Sequence, residues 1–190
     1  MTFIRELADY ERLSEEVVAT EADLRKSLFT GKPSAEAVIA WVDEVPAGFA
    51  LVFHNFSTFL GRPGLYLEDL FVRPSYRRRG VGRGLLAYVA GLAVARGCGR
   101  LEWSVLDWNE MALGLYGKVG AIPMTEWTVH RLTGDALHAL ASEMKVSGRL
   151  MTCLLTSGDL SLNKLSITAR VRPSMTTGTT VVASMTAGRR

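Results

Sequence analysis

The chain has 190 residues, of which 48% are hydrophobic, and this is long enough for one domain with a buried core. No run of about 20 apolar residues is present, and charged side chains close to Met1 interrupt any secretory signal, so we expect neither a membrane span nor export. Its two cysteines, Cys98 and Cys153, lie far apart and lack metal-ligand spacing, which favours a cytoplasmic protein without a bound metal.

The net charge of +3 is unevenly distributed along the chain. Residues 143–190 carry seven basic and two acidic side chains, whereas residues 1–142 carry 15 basic and 17 acidic ones. The main part of the chain is therefore mildly acidic. This balance favours a cationic substrate over a nucleic acid.

Composition also changes near the end of the sequence. All 16 aromatic residues precede position 128, and residues 143–190 are rich in Ser, Thr, Gly and Met. Such a segment has little with which to build a core. We expect a folded domain over 1–142 and a basic tail over 143–190, either disordered or not native to the domain.

The hydrophobic patterns predict an alternation of helices and strands. Thr20 and Asp23 are typical of a capped helix start, and Asn109 suits the N-cap of a later helix. In chain order we predict helices over 3–13 and 20–29, strands over 37–43 and 47–57 joined by a tight turn at 44–46, a strand over 65–73, a helix over 80–96, a strand over 100–106, a helix over 109–118, a strand over 126–132 and a helix over 133–142. This order predicts an α/β domain with a mixed sheet.

The segment 72–82, VRPSYRRRGVG, combines a strand end, a basic loop and a glycine-spaced helix start. Helix N-termini present unpaired N–H groups, glycines allow a phosphate to approach the backbone, and arginines add charge. The segment therefore predicts a diphosphate site, although a solvated basic helix start with packing glycines remains the alternative. It matches neither a P-loop nor a dinucleotide-binding fingerprint.

The pattern Arg77-x-x-Gly80-x-Gly82 resembles the Arg/Gln-x-x-Gly-x-Gly/Ala signature of the GNAT acetyltransferases. Within that superfamily the chain is most similar to the diamine (spermidine/spermine) acetyltransferases, through ELADYE (6–11), TEADL (20–24), LYLEDLFV (65–72), WNE (108–110) and LYGKVGA (115–121). The similarity extends from about residue 4 to about residue 142.

This resemblance implies the GNAT acyl-CoA N-acyltransferase fold, a central mixed sheet flanked by helices. It implies that acetyl-CoA donates an acetyl group to a primary amine of a polyamine or diamine, by direct attack in a ternary complex within a homodimer. It also implies a strand before the first helix. Because the printed sequence begins inside that helix, we expect this edge strand to be missing.

Two side chains are implied as catalytic. Tyr116 matches the tyrosine that protonates the departing CoA thiolate, and its alternative role is a core aromatic. Glu68 matches a residue that binds the polyamine and could accept the proton of the attacking amine, and its alternative is an internal salt bridge. Alternation along the strand would place Glu68 and Asp69 on opposite faces.

The resemblance also implies the binding residues. The backbone of the central strand would pair with the pantetheine arm and polarise the thioester carbonyl. Cofactor contacts are expected at Leu70, Phe71, Val72, Arg77, Arg78, Arg79, Gly80, Val81, Gly82, Arg83, Asn109, Glu110, Met111 and Ala112. Substrate contacts are expected at Tyr10, Glu11, Glu68, Glu102, Trp103 and Ser104, although Glu102 departs from the residue type that the family has there.

Other functions stay open at this point. The acceptor could be a thialysine-like amino acid, an aminoglycoside or a protein N-terminus. A non-catalytic acyl-CoA-binding domain is an alternative of a different class. Nucleic-acid binding through the three arginines and the tail is less favoured, because a diphosphate explains arginines at a helix start better.

Overall fold

A computed structural model describes residues 1–143, 166–168 and 182–184. Contacts between residues divide the chain into two compact units, Met1–Pro123 and Met124–Arg190. Across the described ranges, no helix combines the length and the apolar character that crossing a membrane requires.

The first unit follows the predicted order of elements closely. It contains α1 (Thr2–Glu11), a 3₁₀ turn (Ser14–Glu16), α2 (Glu21–Phe29), β1 (Glu36–Val42), β2 (Val45–Ser57), β3 (Arg62–Val72), a second 3₁₀ turn (Pro74–Tyr76), α3 (Val81–Ala95), β4 (Leu101–Trp103) and α4 (Glu110–Lys118). The predicted helix starts are confirmed, because Thr20 and Asp23 form a reciprocal capping box and the Asn109 side chain caps α4. β4 is shorter than the predicted strand.

The turn between β1 and β2 lies slightly earlier than predicted. Val42 pairs with Val45, and the two residues between them, Asp43 and Glu44, both have positive φ, 48° and 62°. This geometry is that of a two-residue hairpin, whose twist matches the flanking strands. Pro46 lies inside β2 rather than in the turn, opposite Trp41 next to a register shift.

The four strands form one sheet in the order β1-β2-β3-β4. β1, β2 and β3 are antiparallel neighbours, and β4 runs parallel to β3. The predicted mixed sheet is therefore confirmed. β3 is paired on both sides, and its C-terminal end leads directly into the basic loop and α3.

Two apolar clusters cover the sheet. The larger one joins α3 to the strands through Ala50, Val52, Leu65, Leu67, Val72, Leu85, Leu86, Val89 and Ala93. The smaller one packs Leu7 of α1 against Phe49 and Phe71, which alternation places on the opposite face. A 2.8 Å ion pair between Glu6 and Arg73 also ties α1 to the end of β3.

The second unit contains α5 (Gly134–Glu143) and two short antiparallel strands, β5 (Ser166–Thr168) and β6 (Val182–Ser184). The predicted helix over 133–142 is confirmed. The predicted strand over 126–132 is wrong, because residues 124–133 hold a turn and no strand. Trp127 and Val129 are 71% and 81% exposed there, so their apolar pattern does not reflect a buried strand face. The predicted tail lies outside the described residues, except for Glu143 and these two strands.

Gly48 offers a test of the sheet packing. A Cβ at this position would lie 2.5 Å from the backbone oxygen of Phe71, so Gly48→Ala forces two paired strands apart. We expect Gly48→Ala to lower the free energy of unfolding by about 1–3 kcal/mol in urea titrations. The control is Gly91→Ala in α3, where a Cβ meets nothing within 4 Å and should stabilise the helix by about 0.5–1 kcal/mol. Equal effects of the two substitutions would contradict this description.

Candidate active site

An open cleft of about 510 Å³ lies between the end of β3, the start of α3 and helix α4. It brings together every predicted cofactor-contacting residue except Arg79, whose guanidinium lies 5.5 Å from the ring of Tyr76. The lining consists of Tyr10, Leu70, Phe71, Val72, Arg77, Arg78, Gly80, Val81, Gly82, Arg83, Asn109, Glu110, Met111, Ala112, Gly114, Leu115, Tyr116 and Lys118.

The loop before α3 presents backbone donors to this cleft. Gly80 is the N-cap of α3 with φ of 83°, a conformation that glycine adopts without strain. Within the described residues, no side chain caps this helix start and its first turn contains no acidic residue. The N–H groups of the first turn and the positive end of the helix dipole are therefore free to bind an anion.

The charges around the cleft are mostly positive. Arg78, Arg83 and Lys118 line it, and none of the three has an ion-pair partner within the part of the chain that the structure describes. Glu110 is the one acidic residue in the lining. Together with the helix start, these cations fit a ligand with several phosphate groups.

The guanidinium of Arg77 already contacts other groups of the protein, unlike that of a side chain free to bind a phosphate. Its Nε donates a 2.8 Å hydrogen bond to the backbone oxygen of Val72. Its guanidinium lies 4.4 Å from the ring centre of Tyr10 and 5.7 Å from that of Phe71. Arg77 thus braces the wall of the cleft.

Tyr116 lines the cleft from α4 and also packs at the edge of the larger apolar cluster. Its ring centre is 4.9 Å from that of Trp103. Burial, with a smaller contribution from the negative charge of Glu11, raises the pKa of the Tyr116 phenol above its usual value. The phenol therefore keeps its proton at neutral pH and is available as an acid.

A β-bulge interrupts the centre of β3. Leu51 pairs with Asp69 and Val52 pairs with Leu67, which leaves Glu68 without a cross-strand partner. The simple alternation that we assumed for this strand does not hold across the bulge. Leu67 and Leu70, three residues apart, both contact the cluster packed on α3.

Asp69 is the residue whose importance the sequence did not indicate. It is half-buried, and burial, followed by the negative charges of Glu68 and Glu11, raises its pKa to about 6. Burial also raises the pKa of Glu11. The three carboxylates form a negative region close enough for their charges to interact. The sequence does show a charged residue inside an apolar strand. It does not show the bulge that determines how the Asp69 side chain is oriented.

The predicted substrate residues of β4 lie outside the cleft lining. Glu102 already has two partners, because it accepts a 2.9 Å hydrogen bond from Asn55 and lies 2.7 Å from Arg100. The hydroxyl of Ser104 lies 2.7 Å from that of Tyr66. Trp103 supports the ring of Tyr116. The structure therefore separates these three residues from the cleft itself.

Comparison with known proteins identifies the family. Residues 4–121 match the family model described as "Acetyltransferase (GNAT) family". The thialysine N-epsilon-acetyltransferase of Bos taurus is 37% identical over 154 residues, covering 75% of this chain and 90% of that protein. The L-ornithine N5-acetyltransferase of Arabidopsis thaliana is 35% identical, covering 72% of this chain and 80% of its own length.

A solved structure supports the same fold. An integron cassette protein from the mobile metagenome of V. cholerae superposes with a TM-score of 0.61 at 30% identity, covering 74% of this chain and 87% of that one. The resemblance and the fold inferred from the sequence are therefore confirmed. The chain belongs to the GNAT acetyltransferase family and is an acetyl-CoA-dependent N-acetyltransferase of the group that includes the thialysine N-epsilon-acetyltransferases.

Proposed function

We propose that this enzyme acetylates a primary amine of a small polyamine or diamine by direct attack of the amine on acetyl-CoA. The observation that carries the proposal is the presence, on one strand, of a carboxylate cluster just ahead of a cation-lined cleft. Glu68 and Asp69 precede Leu70, which already lines the cleft. This arrangement suits an anionic donor beside a cationic acceptor.

The donor would be held by the loop and by the end of β3. Backbone N–H groups at Gly80 and Gly82, helped by Arg78 and Arg83, would bind its pyrophosphate. The backbone of residues 70–72 would pair with the pantetheine arm, and one of its N–H groups would polarise the thioester carbonyl. Residues 109–112 would contact the donor from the start of α4.

The acceptor would enter beside the carboxylates. Glu11 and Glu68 are proposed to contact its ammonium groups, and Trp103 contributes by supporting the ring of Tyr116. Asp69 is proposed to take the ammonium proton, because burial and the charges of Glu68 and Glu11 raise its pKa to about 6. Removal of that proton produces the neutral amine, which is the nucleophile.

Acetyl transfer then moves two protons besides the acetyl group. The amine nitrogen bonds to the acetyl carbon, and the carbon–sulfur bond breaks to leave a thiolate. Tyr116 gives its proton to that sulfur and is reprotonated by the hydrogen that the new amide nitrogen loses. One proton, taken first by Asp69, passes to solvent in each turnover.

A second acceptor class is the side-chain amine of a diamino acid. The names of the relatives favour it, since they are acetyltransferases of thialysine and ornithine. Both acceptor classes carry a second ammonium group that the carboxylate cluster could attract. A homodimer, which the resemblance implies, and a cytoplasmic location, which the cysteine pattern favours, belong to the same proposal.

A panel of amines tests the acceptor. We expect spermidine, spermine and putrescine to release CoA thiol with the highest kcat/KM, ahead of ornithine, thialysine, an aminoglycoside and a peptide N-terminus. A higher kcat/KM for the diamino acids than for the polyamines would show that the acceptor is a diamino acid. If none of these amines supports the release of CoA thiol, the proposed function is contradicted.

Tyr116→Phe tests the acid. Removing the hydroxyl leaves the ring packed on Trp103 but removes the proton donor, so we expect kcat for thiol release to fall at least about 100-fold. The apparent affinity for acetyl-CoA should change little, because the other lining residues remain. Thiol release at the unmutated rate would show that Tyr116 is a core aromatic only.

The pH dependence tests the base. Because Asp69 must be ionised to accept a proton and its pKa is about 6, kcat/KM for the amine should fall as the pH is lowered through about 6. Because burial raises the pKa of the Tyr116 phenol, loss of activity from phenol ionisation should begin at a higher pH than for an ordinary tyrosine. In Asp69→Asn the acid limb near pH 6 should disappear from the residual activity. If kcat/KM of that variant still falls near pH 6, a residue other than Asp69 is the base.

Asp69 should also cost stability at neutral pH. Its pKa in the folded protein is raised from 3.8 to about 6, so stability is fully present below pH 3.8 and is lost as the pH rises through about 6. Asp69→Asn should therefore raise the free energy of unfolding at pH 7 by about 1–3 kcal/mol. At pH 4 the gain should largely vanish. A loss of stability at pH 7 would contradict the assigned burial.

A further inference from the structure

Tyr10, at the C-terminal end of α1, is linked to the helix that carries Tyr116. The Tyr10 hydroxyl donates a 3.2 Å hydrogen bond to Oδ1 of Asn109, 99 residues away in sequence. The same oxygen accepts a 3.3 Å hydrogen bond from the backbone N–H of Ala112 in the first turn of α4. One amide oxygen therefore joins the end of α1 to the start of α4.

The ring of Tyr10 is held by three further groups. The guanidinium of Arg77 lies 4.4 Å from the ring centre, and the ring of Phe71 lies 6.4 Å away. Trp108, the residue before Asn109, contributes a ring at 5.7 Å. Since Arg77 also bonds to the backbone oxygen of Val72, the position of Tyr10 is set by the end of β3.

Helix α4 depends on such contacts because it is only shallowly packed. None of its nine residues is fully buried. Leu115 and Tyr116 are half-buried, whereas Glu110, Met111 and Leu113 are exposed. A helix moves as a stiff unit, so a shift at its N-cap is passed to Tyr116, about two turns further on.

We propose that Tyr10 is a positioning residue for acetyl transfer, whose hydroxyl acts through Asn109 to hold α4, and with it Tyr116, at the cleft. The inference rests on the proposed role of Tyr116. It gives Tyr10 a function other than the substrate contact expected from the sequence. A small displacement of a catalytic group costs rate rather than substrate affinity, and this difference can be measured.

Tyr10→Phe removes the hydroxyl and keeps the ring with its contacts to Arg77, Phe71 and Trp108. We expect kcat for thiol release to fall about three- to tenfold, as the loss of one hydrogen bond allows, with KM for the amine unchanged within about twofold. The matched control is Tyr88→Phe, which removes an exposed hydroxyl on α3 and should leave kcat unchanged. An unchanged kcat with a raised amine KM would show that Tyr10 binds the acceptor instead.

A mutant cycle tests the route through Asn109. Asn109→Ala removes the shared acceptor, so adding Tyr10→Phe to it should lower kcat by less than about twofold. If the two substitutions instead multiply their separate effects, Tyr10 acts independently of Asn109 and the proposal fails.

Hydrogen exchange tests, without any catalysis, whether the Tyr10–Asn109 hydrogen bond holds α4. In the unliganded protein, the amides of residues 110–118 should exchange about three- to tenfold faster in Tyr10→Phe than in the unmutated chain or in Tyr88→Phe. Unchanged exchange in Tyr10→Phe would overturn the positioning role, whether or not the protein acetylates amines. If no amine supports the release of CoA thiol, the proposed function fails. The exchange measurement then still decides whether Tyr10 holds α4.

Discussion

The pairing of β3 on both sides is the constraint on which the site depends. β3 is antiparallel to β2 and parallel to β4, so its backbone direction and register are fixed by two neighbours. One irregularity is built into that pairing, the bulge that leaves Glu68 unpaired. As a result the same strand places carboxylates at its centre and the wall of the cleft at its end. After the basic loop, α3 begins at Val81, and its uncapped N-terminus lies at the cleft.

The second feature of the site is the separation of charge between the carboxylates near the centre of this strand and the cations of the cleft beyond its end. Burial and the negative charges of Glu68 and Glu11 raise the pKa of Asp69, and burial raises the pKa of Glu11, whereas Arg78, Arg83 and Lys118 line the adjoining cleft. Burying a carboxylate is costly, and the raised pKa of Asp69 expresses this cost. Carboxylates whose pKa is raised in this way are found preferentially at functional sites.

Much of this could be predicted from sequence because it depends on local signals. The capping box at Thr20, the cap at Asn109 and the strand–loop–helix order around Gly80 follow from neighbouring residues. The contacts that were not predicted are made between distant segments. The bulge at Glu68, the position of Arg77 over the ring of Tyr10 and the hydrogen bond from Asn55 to Glu102 all require the sheet to be assembled first. The incorrect strand over 126–132 shows the reverse case, an apolar pattern with no partner strand in the described residues.

A crystal structure of the enzyme with CoA would show directly whether the cleft beside Tyr116 holds the acetyl donor. We expect the pyrophosphate at the backbone N–H groups of Gly80 and Gly82, and the CoA sulfur within hydrogen-bonding reach of the Tyr116 hydroxyl, about 3 Å. A second cleft of about 360 Å³, lined in part by Lys32, Ser34 and His54, provides an alternative location. CoA bound there, or bound at the first cleft with its sulfur far from Tyr116, would contradict the proposed donor site and the proposed role of Tyr116.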